Sequence, residues 1–167
     1  MTAPVVVLVG PPGAGKSSVG RMLAARLGVA FRDTDDDVAA AAGKDIPAIF
    51  YDDGEPHFRA LESAAVATAL SEHAGVLVLG SGAVLAGETR TALRGHTVVF
   101  LDVGMAAAAR RVGLARDRPV LTLNPRAMLR ALLAERRPLY DEVATHTVAT
   151  DDRTPRQVTD AVVEALG

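Results

Sequence analysis

Eight residues near the N-terminus, Gly10-Pro11-Pro12-Gly13-Ala14-Gly15-Lys16-Ser17, satisfy the pattern G-x-x-x-x-G-K-[ST] in full. A loop that cradles a chain of phosphates must turn its backbone N–H groups inward, and glycine permits that turn without a Cβ clash. In such a loop the lysine reaches the β- and γ-phosphates and the following hydroxyl meets Mg2+. Lys16 and Ser17 stand at those two places, with Gly13, Ala14, Gly15 and Ser18 around them. An incidental glycine-rich turn with a stray lysine is the plainer reading. Against it, Lys16 and Lys44 are the only lysines among 18 basic residues, so a lysine at the motif position carries weight.

Three further groups carry residue types that can bind or orient a ligand. Asp33-Thr34-Asp35 offers carboxylates, which can hold a metal ion or orient a hydroxyl, although acidic residues also simply complement a helix N-terminus. That second reading suffices for Asp36 and Asp37. Arg59 and Glu62 lie three apart, on one face of any helix, where a guanidinium held by a carboxylate can bind an anion or form an ordinary surface pair. Gly80-Ser81-Gly82 follows an apolar run, a place where small residues allow a ligand close to the backbone.

These residues need strands and helices to bring them together, and the chain alternates the two. Val5–Val9, Val76–Leu79 and Val98–Leu101 are apolar, largely β-branched runs and read as buried parallel strands. Weaker strands are expected at Ala30–Arg32 and Thr147–Ala149. Helices are expected at Lys16–Leu27, Asp35–Ala42, Ile46–Tyr51, Glu55–Ser71, Met105–Val112 and Arg126–Glu135. A last helix is signalled by Thr154 as N-cap, Pro155 at its first position and Gln157 three residues after the cap. Strands separated by helices imply an open α/β fold with a parallel sheet covered on both faces. Ligands bind such sheets at the carboxyl ends of the strands, which is where Gly10, Asp33 and Gly80 fall.

Composition narrows the class. At 167 residues the chain is expected to form a single domain, 1–167. A net charge of -2 argues against a nucleic-acid partner, and the absence of cysteine removes disulfide and thiolate chemistry. No apolar run approaches the length of a membrane span, so a cytoplasmic protein without membrane contact is expected, with a monomer as its form. His57, His73, His96 and His146 show no metal-ligand spacing, and the two tyrosines, Tyr51 and Tyr140, and the four phenylalanines are expected in the core.

With these segments in this order, the chain resembles the shikimate kinase family from end to end. The resemblance implies a three-layer P-loop fold, a five-stranded parallel sheet flanked by helices, with a mobile acceptor-binding region at about 33–61 and a lid at about 113–124. It implies ATP and shikimate as substrates, Mg2+ as cofactor and transfer to the 3-hydroxyl of shikimate. Lys16, Asp35 and Arg118 would then be catalytic, and Ser17 and Asp33 would hold the metal. Arg59, Gly80, Ser81, Gly82 and Arg136 would join Asp35 in binding the acceptor, with Glu62 holding Arg59. Arg111, Arg118 and Arg153 would join the phosphate loop in binding ATP. Ser81 departs from the pattern, because the family usually has three consecutive glycines there. Serine at a negative φ is harmless, at a positive φ it is strained, and its hydroxyl could instead read a substituent that shikimate lacks. A kinase for gluconate or a related cyclic acid is the nearest alternative, and a nucleotide-binding regulator without transfer activity is the next.

Overall fold

Val6–Val9 forms β1, in which every side chain is buried because the strand lies at the centre of the sheet. A computed structural model describes residues 2–112 and 125–167. Along them run α1 (Lys16–Leu27), β2 (Phe31–Asp33), α2 (Thr34–Ala42), α3 (Ile46–Asp53), α4 (Glu55–Glu72) and β3 (Val76–Val78). A 3-10 turn (Ala83–Leu85) and α5 (Gly87–Ala92) follow, then β4 (Val98–Asp102), α6 (Met105–Val112), α7 (Pro125–Val143), β5 (His146–Ala149) and α8 (Pro155–Leu166). The segment expected to form the lid, with Arg118, lies outside the described residues.

The five strands are all parallel, in the order β2-β3-β1-β4-β5. The chain leaves β1 for the far side of β3 and returns, then crosses to β4 on the other side. Connections on the two sides of β1 thus diverge, and a crevice opens at the carboxyl ends of β1 and β3. Alternate residues of each strand face opposite layers. Val6 and Leu8 pack with Val19 and Leu23 of α1 and Val158 and Val162 of α8. Val7 and Val9 pack with Val66 and Leu70 of α4 and with Tyr140 of α7. A smaller cluster, Val38, Ile46, Ile49 and Phe58, holds α2 and α3 against α4.

Several boundaries differ from the sequence-based expectation. Helix α7 does not stop at Glu135 but continues through Pro138 to Val143. A proline inside a helix forfeits one backbone hydrogen bond, and here the packing of Leu139, Tyr140 and Val143 against the sheet outweighs that loss. The 3-10 turn and α5 were not foreseen, because six polar and small residues show no helical period. Tyr51 is not a core residue: it is 88% exposed at the end of α3, while Tyr140 is buried as expected. Among the described residues no helix is long and apolar enough to cross a membrane.

Helix α8 begins as its capping signals require. Gln157 N donates to Thr154 Oγ1 at 3.2 Å, and Thr154 N donates to Gln157 Oε1 at 2.8 Å. Replacing Thr154 by Ala removes one side of this box. It should cost about 1 kcal/mol and lower the melting temperature by about 2–4 °C, read by thermal unfolding.

Candidate active site

The phosphate loop leaves β1 at Gly10 and enters α1 at Lys16. Gly13 and Gly15 both sit at φ 83°, left-handed backbone that residues with a Cβ rarely adopt. Lys16 Nζ donates to the carbonyls of Gly10 at 2.8 Å and Pro11 at 3.2 Å. The ammonium is thereby held over the cradle, at the positive end of α1.

Across the crevice, β2 ends in Asp33, whose carboxylate does two things. Its Oδ1 accepts from Asp35 N at 2.9 Å and so caps α2, and its Oδ2 accepts from Ser17 Oγ at 2.9 Å. The helix cap is therefore made, and the same carboxylate also meets the Ser17 hydroxyl. Two hard oxygen donors, a hydroxyl and a carboxylate, stand side by side next to the phosphate loop. Mg2+ asks for one or two such protein ligands and completes its shell with phosphate oxygens and water. Asp37 is used elsewhere: it accepts from Arg32 Nε at 2.8 Å, which raises the arginine's pKa.

Helix α4 and the segment after β3 form the second wall. Arg59 Nη1 donates to Glu62 Oε1 at 2.9 Å, and Arg59 Nε donates to Glu55 Oε2 at 3.2 Å. Glu62 is buried, so the inner ion pair is largely shielded from water. These charges press directly on the loop Gly80-Ser81-Gly82. A Cβ added at Gly80 would stand 2.6 Å from Glu62 Oε2 and 2.7 Å from Asp35 Oδ1. One added at Gly82 would collide with the Arg59 guanidinium, 2.7 Å from its Cζ. A side chain at either position would thus displace these charged groups, and neither glycine has a positive φ. Ser81 has none either, since Asp152 is the only non-glycine residue at positive φ among those described. The strained alternative for Ser81 is therefore excluded.

A third part lies on the other flank of the phosphate loop. Ala14, Gly15, Ser18, Arg111, Thr150 and Arg153 line a cavity of about 290 Å3. Arg111 Nη1 donates to Gly13 O at 2.8 Å, and Arg111 Nη2 donates to Thr150 O at 3.3 Å. One guanidinium therefore ties the phosphate loop to the turn between β5 and α8. Asp151 in that turn accepts from Gly104 N at 2.9 Å, at the start of α6. The volume and position suit a planar base next to the phosphates.

The structure brings together, around one crevice, Lys16, Ser17, Asp33, Asp35, Arg59 and the Gly80–Gly82 loop. Arg111 and Arg153 adjoin the phosphate loop through the cavity. Arg136 is buried on α7, and Arg118 lies outside the described residues. Sequence reasoning missed Thr34, whose Oγ1 accepts from Gly80 N at 3.2 Å and so joins the acidic motif to the small-residue loop. It also gave no part to Thr150, which is fully buried and donates from Oγ1 to Asp102 O at 3.0 Å. Their signals were present, since Thr34 lies inside the D-T-D motif and Thr150 immediately before Asp151-Asp152-Arg153.

The shikimate kinase family's sequence profile matches residues 12–167. A shikimate kinase of Salinispora tropica is 62% identical over 164 residues, covering 98% of both chains. One of Saccharopolyspora erythraea is 60% identical, covering 98% of this chain and 94% of its own. Among solved structures, shikimate kinase from Acinetobacter baumannii in complex with shikimate superposes with a TM-score of 0.93. It is 36% identical, covering 99% of this chain and 93% of that one. With a full-length sequence match, the same five-stranded sheet and the motif residues gathered around one crevice, this chain belongs to the shikimate kinase family.

Proposed function

We propose that the protein transfers the γ-phosphoryl group of ATP to the 3-hydroxyl of shikimate, giving 3-phosphoshikimate and ADP. The observation that carries this reading is the convergence on the Gly80–Gly82 loop. The Arg59 guanidinium lies against Gly82, and the carboxylates of Asp35 and Glu62 lie against Gly80. A small acceptor with a carboxylate at one end and hydroxyls at the other finds complementary charge along a few ångströms of backbone. The likeness to a structure described as a complex with shikimate supports the same choice.

In this mechanism the chain supplies positioning and charge rather than covalent chemistry, as phosphoryl transfer requires. Arg59 and Arg136 bind the acceptor's carboxylate, and Glu62 keeps Arg59 in place. Asp35 accepts a hydrogen bond from the attacking hydroxyl and aims it at the phosphate. Lys16 exchanges the carbonyls of Gly10 and Pro11 for phosphate oxygens and stabilises the charge that develops on them. Ser17 and Asp33 would hold Mg2+, which neutralises phosphate charge when bound. The cavity beside Arg111 and Arg153 takes the adenine.

Lys16→Ala should reduce turnover by orders of magnitude with the fold intact, as measured by coupled ADP release and circular dichroism. Turnover near that of the wild type would contradict the assigned nucleotide pose. The same assay run on a panel of cyclic and linear hydroxy acids tests the acceptor, and equal rates with gluconate would overturn the shikimate reading.

Arg59→Ala and Arg136→Ala should each weaken acceptor binding by about 10- to 150-fold, the loss expected of a charge-assisted pair. ATP binding should change little, and calorimetric titration with each ligand separates the two. Asp35→Asn should instead lower kcat, because it misaligns the hydroxyl.

Ser81→Gly should change kcat/KM for shikimate by less than about tenfold, since Ser81 carries no backbone strain. Gly82→Ala should raise the shikimate KM much more, because its methyl group displaces Arg59. A rise for the serine variant equal to that for Gly82→Ala would mean that the hydroxyl, not the backbone, meets the acceptor.

A further inference from the structure

Tyr140 lies deep between α7 and the sheet, only 1% exposed, with its ring stacked on Phe100 of β4 at a centroid distance of 4.9 Å. A buried phenol must find an acceptor for its O–H, and many core carbonyls would satisfy that need. The acceptor it uses is the carbonyl of Ser81, at 2.6 Å, in the middle of the Gly80–Gly82 loop. That carbonyl shares a peptide plane with the N–H of Gly82. No peptide bond among the described residues is cis, so the two groups point in opposite directions. Holding the Ser81 carbonyl toward α7 therefore aims the Gly82 amide away from α7.

The same helix carries Arg136, four residues before Tyr140 and so on the same face one turn earlier. A second tie runs in parallel. Arg90 of α5 donates from Nη1 to the carbonyls of Val84 at 2.8 Å and Leu85 at 3.1 Å, and from Nε to Glu142 of α7 at 3.2 Å. The 3-10 turn that follows the loop and the end of α7 are thus joined through one guanidinium. Arg90 and Glu142 are partly exposed, however, whereas the Tyr140 bond is buried and fixes a peptide plane.

We propose that Tyr140 is a positioning residue for the acceptor. Its hydroxyl sets the orientation of the Ser81–Gly82 peptide and the spacing between that peptide and Arg136 on α7. The proposal rests on the reading of this loop as the acceptor site and deepens it, since it assigns a binding task to a core side chain that touches no substrate. Glycine at 80 and 82 makes the loop easy to deform, so some element outside the loop must hold its peptide planes. Tyr140 does so from the helix that also carries an acceptor-binding arginine.

The test is Tyr140→Phe, which removes the hydroxyl and leaves the ring stacked on Phe100, alongside Tyr140→Leu, which removes both. If the hydroxyl positions the peptide, Tyr140→Phe should raise the shikimate KM by about 5- to 30-fold, the range for one or two lost units of hydrogen-bond free energy. The ATP KM should stay within about twofold and cooperative thermal unfolding should persist. If Tyr140 is only a packing residue, Tyr140→Phe should match the wild type in both KM values while Tyr140→Leu lowers the melting temperature, and that result would overturn the proposal. Loss of cooperative unfolding in the phenylalanine variant would overturn it too, because the hydroxyl would then serve the fold as a whole. The wild type's own dependence on shikimate is read first, so a failure of the acceptor assignment shows separately from a failure of this one.

Discussion

One carboxylate, that of Asp33, joins the two halves of the crevice. Its Oδ2 is bound by Ser17 at the start of α1, and its Oδ1 by the amide of Asp35 at the start of α2. Helix α1 begins at the phosphate loop, and α2 begins at the residue proposed to orient the acceptor. In the proposed function the separation between the nucleotide's phosphates and the attacking hydroxyl would thereby be set by a single planar group at the end of β2. In-line transfer is sensitive to misplacement on the scale of an ångström, so a rigid two-sided bond at this point has more effect than its own modest free energy suggests. Thr34, between the two aspartates, extends the link to Gly80. The start of α1, the end of β2 and the loop after β3 are thus joined through Asp33 and Thr34.

The acceptor side is expensive in charge. Glu62 and Arg136 are buried, and Arg59 is held between Glu55 and Glu62. A buried ion pair contributes little net stability, because desolvation offsets most of the attraction. An apolar core at these positions would serve the fold as well or better. On the proposed function, binding rather than folding would use these charges, since a guanidinium already oriented and partly desolvated loses little on meeting a carboxylate. This also explains why Arg59 has one buried and one more exposed carboxylate partner. The buried partner keeps the side chain in place, and the exposed one can be exchanged for a ligand's charge at small cost.

The sheet, α1 and α8 were legible in the sequence because their signals are local. Continuous β-branched runs mark β1, β3 and β4, and a glycine stop and a capping box mark the ends of α1 and α8. The phosphate loop was legible for the same reason, since its eight residues are contiguous. What local signals could not supply is the second half of α7, where tertiary packing overrides Pro138, and α5, which is too short to show a period. Tyr51 and Tyr140 show the limit most plainly. Both are aromatic residues in helical segments, and one is exposed while the other is a core anchor, because burial depends on which helix face meets the sheet. The proposed acceptor site was legible only as separate fragments; the contacts from Asp35 and Arg59 to the small-residue loop join positions more than twenty residues apart.

The Gly80-Ser81-Gly82 segment brings these arguments to one place. If its glycines were needed for left-handed backbone, a serine between them would signal strain or a changed substrate. None of the three residues has a positive φ, so the requirement is steric and differs from residue to residue. A Cβ at Gly80 would displace the carboxylates of Glu62 and Asp35, and one at Gly82 the guanidinium of Arg59. Ser81 between them carries a buried side chain, and its backbone carbonyl is engaged by Tyr140. A side chain is excluded where the site's charges press on the loop, and is tolerated where the loop is held through its backbone from α7. On that account the departure at Ser81 leaves both walls of the proposed acceptor site as the other residues define them, and a run of three glycines is more than the backbone geometry demands.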